Sequence, residues 1–270
     1  VNSHKSYDVA IVGSGPSGQT AAIELASAGR SVAIIERAGF FGGSSLHVGT
    51  IPSKTLREAV ISLSGYRLHP AHRAMLGASP AEITYEKLKS TVDWAIRDET
   101  RFLSNRMERA GVDLYFGVAS FKNEREISVA GDDEKSVYAE KIIIASGSKA
   151  ARPGGIPFNG RTIIDSDEIL ADPAKAFVPR DMIILGGGVI AMEYATIFAL
   201  LGVKVYVLSR SASVLSFVDG DLLQVVLDSA KEMGAEIRGG ARLDGVVERG
   251  DGRVEASVAG GETIAADMFV

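Results

Sequence analysis

The chain has 270 residues, enough for about two domains, and 46% of them are apolar, enough for real cores. A net charge of −5 with no basic block argues against nucleic acid as a partner. There is no cysteine, which excludes disulfides, thiolate metal sites and thiol catalysis. Thirty glycines point to a turn-rich α/β protein. No apolar stretch approaches the roughly 18 residues of a membrane span. Residues 1–6 are polar and lead into a strand without the pattern of a signal peptide, so the expected location is cytoplasmic. The four histidines are scattered and no metal is expected; His47, His69 and His72 read as loop residues.

Residues 9–12 form a short apolar strand that runs into Gly13-Ser14-Gly15-Pro16-Ser17-Gly18. That run opens a helix, Gly29 suits the helix end, and residues 31–35 make a second apolar strand. The same order returns 173 residues later at Gly186-Gly187-Gly188-Val189-Ile190-Ala191, between strands at 182–185 and 204–208. Asp8 then falls on Asp181, Gly29 on Gly202, Val32 on Val205 and Arg37 on Arg210. Strand, glycine turn, helix and strand is the Rossmann dinucleotide fingerprint, and two copies in register are far more specific than one. The first glycine permits the tight turn, the second lets backbone approach a pyrophosphate, and the third, or Ala191, lets helix pack close to strand. Pro16 suits a helix start, where its missing N–H costs nothing, and the helix N-terminus offers N–H groups and partial positive charge to phosphates. Gly13, Gly15, Pro16, Ser17 and Gly18 are therefore candidate cofactor contacts, as are Gly186, Gly188, Val189 and Ile190. The bland alternative is a βαβ unit whose glycines only ease packing.

Glu36 stands 23 residues after Gly13 at a strand end, where a carboxylate can accept both hydroxyls of an adenosine ribose, with Arg37 beside it. Ser209 holds the matching place, again 23 residues after its first glycine. The missing carboxylate removes repulsion against a 2′-phosphate, and Arg210 supplies a cation. This favours NADP(H), or tolerance of both nucleotides; alternatively Arg210 merely copies Arg37.

The next stretch is Phe40-Phe41-Gly42-Gly43-Ser44-Ser45-Leu46-His47-Val48-Gly49-Thr50-Ile51-Pro52-Ser53-Lys54. Two glycines, a small-residue loop and then a helical pattern read as a second loop-to-helix phosphate or ring contact. Here the chain resembles the FAD-dependent pyridine nucleotide–disulfide oxidoreductases, and its Gly-Thr-Ile-Pro-Ser-Lys ending is similar to the soluble pyridine nucleotide transhydrogenase branch. The family carries two cysteines spaced Cys-x-x-x-x-Cys where this chain has Ser45 and Thr50; the branch keeps the first cysteine, so Ser45 departs even from it. A hydroxyl cannot replace a thiolate as an electron relay. Ser45 and Thr50 either hydrogen-bond near a flavin ring or fill the loop. The resemblance adds Gly42, Gly43, Ser44 and Lys54 to the flavin contacts. It also pairs Lys54 with Glu193, seven residues after Gly186, where nicotinamide meets flavin. A charged pair there would position the rings and tune hydride transfer; the alternative for Glu193 is a solvated helix face.

Residues 53–64 and 81–110 read as helices. In the second, Leu88, Val92, Ile96, Leu103 and Met107 fall at helical spacing, Trp94 reads as packing, and Arg97, Asp98, Arg101 and Glu108 as a solvated face. Strands are expected at 112–121, 126–130 and 136–138, with Ala119 counted among the cofactor contacts. Residues 141–147 read as a parallel-type strand ending in Ala145, Ser146 and Gly147, which resembles the family's Ala-Thr-Gly turn beside FAD. Residues 152–160 read as a linker, and Ser166-Asp167-Glu168 as the cap of a short helix. Residues 221–233 are expected to be helical and the remainder β-rich, with a turn at Gly250-Asp251-Gly252. Met268-Phe269-Val270 lies in an apolar strand, so the chain reads as a piece of a longer protein lacking the family's dimerisation domain.

The expected fold class is α/β, with two Rossmann-like dinucleotide-binding domains, each having a central parallel sheet and an added antiparallel β-meander. Residues 1–150 would take FAD and residues 151–270 NAD(P). The resemblance implies hydride passing between NADPH and NAD+ through FAD, with Lys54 and Glu193 as the catalytic pair and a homodimer when full length. The alternatives are a dihydrolipoamide-dehydrogenase-like protein without its dithiol, acting as an NAD(P)H oxidase or diaphorase, and a non-catalytic nucleotide-binding module.

Overall fold

The structure, a computed structural model, describes residues 5–64, 84–131, 134–170 and 177–270. The chain divides into two compact units, Val1–Pro52 with Asp93–Lys149, and Ser53–Val92 with Ala150–Val270. The break after Lys149 adjoins the expected linker. Residues 53–92 group with the second unit, whereas a single cut at residue 150 leaves them with the first.

The elements up to that break are β1 (Ser6–Val12), α1 (Pro16–Ser27), β2 (Val32–Glu36), α2 (Gly43–His47), α3 (Thr50–Ser64), α4 (Tyr85–Ala110), β3 (Asp113–Phe116), β4 (Val118–Asn123), β5 (Glu126–Ala130) and β6 (Lys135–Ile144). The first unit's six-stranded sheet has the order β3-β2-β1-β6-β5-β4. β3, β2, β1 and β6 run parallel, and β5 and β4 extend the same sheet antiparallel. Strand periodicity sorts the core. Val9, Ile11, Val32 and Ile34 face one cluster with Ala22 of α1 and Leu103 and Met107 of α4. Ala10, Ala33 and Ile35 face the other, with Ile127, Val129 and Val137 of the meander. Each fully buried Ile or Val contributes about 1.5–3 kcal/mol.

Four expectations need correction here. The strand expected at 112–121 is two strands, divided at Gly117. Gly117 has φ +150°, and a Cβ there would meet the Ala130 carbonyl oxygen at 2.6 Å, so the chain turns from the parallel sheet to its antiparallel edge where only glycine fits. The two strands expected at 136–138 and 141–147 are one, because β6 pairs antiparallel with β5 and parallel with β1. Paired backbone carries the strand through the exposed Glu140 and Lys141. Trp94 is 64% exposed rather than packed, although Leu88, Val92, Leu103 and Met107 on the same helix are buried as their spacing predicts. His47 ends α2 instead of lying in a loop, with Nε2 2.8 Å from the Phe41 carbonyl oxygen and its ring against Phe40. His69 and His72 lie outside the described residues.

The remaining elements are β7 (Asp181–Leu185), α5 (Val189–Leu200), β8 (Lys204–Ser209), α6 (Gly220–Glu232), β9 (Ala235–Gly239), β10 (Leu243–Glu248), β11 (Val254–Val258), β12 (Glu262–Ala266) and β13 (Met268–Phe269). A parallel sheet, β13-β7-β8-β9, is accompanied by a separate antiparallel sheet, β10-β11-β12. Ile183, Leu208 and Phe269 of the first share a core with Val246, Val254 and Ile264 of the second. The two parallel sheets, each with antiparallel strands added, are the architecture expected from the sequence. Residues 166–170 form turns, not a helix start: Asp165 accepts from the Asp167 amide at 3.0 Å, and Arg152 holds Asp165 at 2.7 Å and Glu168 at 2.8 Å. Residues 171–176 lie outside the described residues.

Candidate functional site

The glycines of the first fingerprint divide by what surrounds them. A Cβ on Gly13 would stand 2.2 Å from the Ala145 carbonyl oxygen, and one on Gly18 would stand 2.0 Å from the Gly13 carbonyl oxygen. These two are packed backbone to backbone. A Cβ on Gly15 would meet nothing within 4 Å. The middle glycine therefore faces open space, where a pyrophosphate can lie against the main chain. Gly15 is also the N-cap of α1, with no side-chain cap, Pro16 in the first turn and no acidic residue there. The first N–H groups of α1 have no side-chain acceptor, which is the arrangement that binds anions. Pro16 and Ser17 are exposed at this end.

Glu36 ends β2 and is 8% exposed. Its Oε2 accepts from the Ser14 amide at 2.9 Å and the Ser14 hydroxyl at 2.6 Å, and its Oε1 accepts from the Ala38 amide at 2.9 Å. Burial pushes the carboxyl up. The bonds from Ala38 and Ser14, with the Arg37 charge, outweigh it and hold the group below its ordinary value. The Gly42 amide donates to the Ser14 hydroxyl at 3.0 Å, and Gly43 lies so close to Gly15 that a Cβ on it would reach Gly15 Cα at 2.7 Å. Ser44 and Ser45 follow in α2, where the Ser44 carbonyl accepts from Val48 and Gly49. Thr50 begins α3. The Ala145 amide bonds to the Val12 carbonyl at 2.8 Å, and Ser146 and Gly147 continue exposed from there. The first unit thus gathers the fingerprint, Glu36, the Gly42-Gly43 loop and the 145–147 turn. Ala119 pairs with Val129 on the meander and packs on the cluster that holds Ala10 and Ile35, two residues after Gly117, whose amide donates to the Glu36 carbonyl at 2.8 Å. Ser14 and Gln19, whose side-chain amide bonds the Ser14 carbonyl at 2.7 Å, were missed by motif reading because the pattern leaves their positions free.

In the second unit, Gly188 is the uncapped N-cap of α5, has open space around it and has no acidic residue in the following turn. Val189 and Ile190 are exposed. By contrast α6 is capped, with Asp219 accepting from the Asp221 amide at 3.1 Å. Ser209 is buried at the end of β8, and a Cβ on Gly187 would stand 2.6 Å from its Oγ. Arg210 beside it is exposed. Leu215, with φ +47°, donates its amide to the Gly187 carbonyl at 2.7 Å. A non-glycine left-handed residue costs about 1–3 kcal/mol, and this one holds the loop after β8 over the middle of the turn. A cavity of about 370 Å³ adjoins Gly186 and Gly188, lined among others by Ile190, Ala191, Tyr194, Ser166 and Phe269. Burial, reinforced by Glu193, Asp167 and Tyr85, pushes the Tyr194 hydroxyl well above its ordinary range.

Lys54 Nζ and Glu193 Oε1 form an ion pair within this unit. The Glu193 side chain is 14% exposed and that of Lys54 58%. A pair with so exposed a partner contributes at most about 1 kcal/mol to stability.

Two uncapped fingerprint turns, each with an open glycine at a helix start, repeat the geometry of the dinucleotide-binding motif. The sequence pattern of the pyridine nucleotide-disulphide oxidoreductases matches residues 7–270, and the chain belongs to that family. It is 36% identical over 272 residues to the soluble pyridine nucleotide transhydrogenase of Mycobacterium bovis (strain BCG / Pasteur 1173P2), covering 98% of this chain and 56% of that protein. The corresponding protein of Hahella chejuensis is 35% identical over 266 residues, with the same coverage. The chain thus spans little more than half the length of these relatives. Among solved structures, HOCl-induced flavoprotein disulfide reductase RclA from Escherichia coli is similar with a TM-score of 0.81 at 25% identity, covering 97% of this chain and 55% of that one. LpdA from Mycobacterium tuberculosis shares the fold with a TM-score of 0.85 at 21% identity, covering 97% and 57%. Family membership implies FAD and a pyridine nucleotide as cofactors. Among the described residues no helix is long and apolar enough to cross a membrane.

Proposed function

We propose that this chain supplies the nucleotide-binding part of an FAD-dependent oxidoreductase that transfers hydride between NADPH and NAD+. The observation that carries the reading is the pair of open, uncapped glycine turns, Gly15 and Gly188. The first fits FAD. Gly15 leaves room for the pyrophosphate, the α1 N–H groups face it, and Glu36 stands where the adenosine ribose would lie. The second fits a pyridine nucleotide, with Arg210 toward a 2′-phosphate and the cavity beside Gly186 toward the rest of the ligand. FAD, when bound, supplies the two-electron chemistry that the side chains lack. Lys54 and Glu193 orient the nicotinamide end and keep a fixed charge pair beside it. Ser45 and Thr50 cannot relay electrons, so the family's thiol route to a disulfide substrate is closed, and a second nucleotide is an acceptor that requires no thiol.

The test is anaerobic. NADPH is added to the FAD-loaded protein, followed by an NAD+ analogue. Bleaching of the flavin by NADPH and its recovery with the analogue is the expected result. Recovery with quinone or oxygen alone would favour an NAD(P)H oxidase or diaphorase, a reading supported by the loss of both cysteine positions. No bleaching at all would sink both. Lys54→Met is expected to slow the bleaching about 10²-fold while changing stability by less than about 1 kcal/mol. An equal loss of stability and rate would make the pair structural.

A further inference from the structure

Ser14 is fully buried, yet four hydrogen bonds run through it. Its amide and hydroxyl both donate to Glu36 Oε2, its hydroxyl accepts from the Gly42 amide, and its carbonyl accepts from Gln19. We propose that Ser14 is the positioning residue for ribose recognition in the first fingerprint: its hydroxyl fixes the Glu36 carboxylate and, through the Gly42 amide, ties the Gly42-Gly43 loop to the turn. The inference rests on the reading of this turn as the FAD site.

The chemistry follows from donor and acceptor counts. A carboxylate offers about four acceptor positions. Ser14 fills two at Oε2 and Ala38 one at Oε1, so the carboxylate cannot rotate and its remaining acceptor capacity has a fixed direction. A ribose hydroxyl arriving at the one position left meets an acceptor already oriented, and little ordering is left for the ligand to induce. Alanine or glycine at position 14 would keep the amide bond but lose the hydroxyl. The chain carries its own control. In the second fingerprint the matching residue is Gly187 and the matching strand end is Ser209. The hydroxyl is present in the turn that has a carboxylate to hold and absent from the turn that has none.

The test compares the wild-type chain with Ser14→Ala, Glu36→Gln and the double variant. In ligand-free protein, the Glu36 carboxyl titration is followed by NMR, and Ser14→Ala is expected to move it up toward the ordinary value. In parallel, affinity for FAD and for its 2′-deoxyadenosine analogue is measured by flavin fluorescence. Wild type should prefer FAD by about tenfold or more. Ser14→Ala should lose most of that preference while still binding the analogue, and should add little once Glu36 is already Gln. A general loosening of the turn would weaken both ligands alike and leave the preference intact, which would overturn the proposal, as would an unchanged Glu36 titration. Should Ser14→Ala melt too early to assay, Ser14→Cys, a weak donor of similar volume, replaces it. Wild type that binds neither ligand would remove the FAD reading, and the role of Ser14 with it. Wild type that prefers FAD beside a Ser14→Ala variant that still does would remove the role of Ser14 alone.

Discussion

Ser14 and Gly187 hold the same place in the two fingerprint turns, and Glu36 and Ser209 the same place at the strand ends that follow. In the first unit the pair is a donor and a carboxylate joined by two hydrogen bonds. In the second it is a bare Cα with a hydroxyl pressed against it. The opening aspartates diverge in the same way. Asp8 accepts from the Ser31 amide at 2.7 Å, whereas Asp181 accepts from Arg253 at 2.8 Å and from the Asp267 amide at 2.7 Å. The backbone plan is shared: both units have a parallel sheet, an uncapped helix and positive φ at Gly13 and Gly186. What differs is the pair of side chains at turn and strand end, the place where the proposed reading separates an adenosine ribose with a free 2′-hydroxyl from one with a 2′-phosphate.

The largest expected effect separates packing from binding within one turn. Gly13→Ala puts a methyl onto the Ala145 carbonyl at positive φ and should destabilise the first unit by about 4 kcal/mol. Gly15→Ala, with open space and φ −68°, should leave melting nearly unchanged while removing FAD binding. Melting curves beside flavin retention check both, and a stable Gly13→Ala would refute the packing argument. Next comes the nucleotide choice of the second unit. Arg210→Ala is expected to weaken NADPH about tenfold or more and to leave NADH alone. An unchanged ratio of the two affinities removes Arg210 from recognition.

A smaller effect lies in acid. The folded Glu36 pKa is below its ordinary value of 4.5, so the stability its bonds contribute is complete above that value and disappears as pH falls through the lower, folded one. Ser209 has no such titration. Glu36→Gln should therefore melt below wild type at neutral pH, and the gap should narrow toward pH ~3. A gap that stays constant with pH would show that the carboxylate charge is not what the bonds stabilise.

Much of the fold was legible because glycine turns and apolar periodicity are local signals. The repeat at 173 residues located both parallel sheets, and the apolar runs at 9–12 and 31–35 marked the first two strands. The misreadings came from features whose causes are distant in sequence. Gly117 divides a strand because of where Ala130 lies, and β6 runs on through polar residues because partners flank it on both sides. Trp94 was read as packing, but the buried stripe of α4 passes it by. At the site, the Lys54–Glu193 pair came from resemblance and is present as a contact. Ser14, Gln19 and Leu215 carried no signal, because their importance lies in bonds to residues that the pattern does not name.

The bare starts of α1 and α5, set beside the capped start of α6, have a practical consequence for handling the protein. A helix end that lacks its own acceptor attracts anions, so phosphate or sulfate in a buffer is expected to act as a weak surrogate ligand there. By mass action, an anion held at a hundred times its dissociation constant adds about 2.7 kcal/mol. Thermal stability measured in phosphate and in an anion-poor zwitterionic buffer would then differ, and comparisons of cofactor affinity between laboratories hold only when the salt is the same.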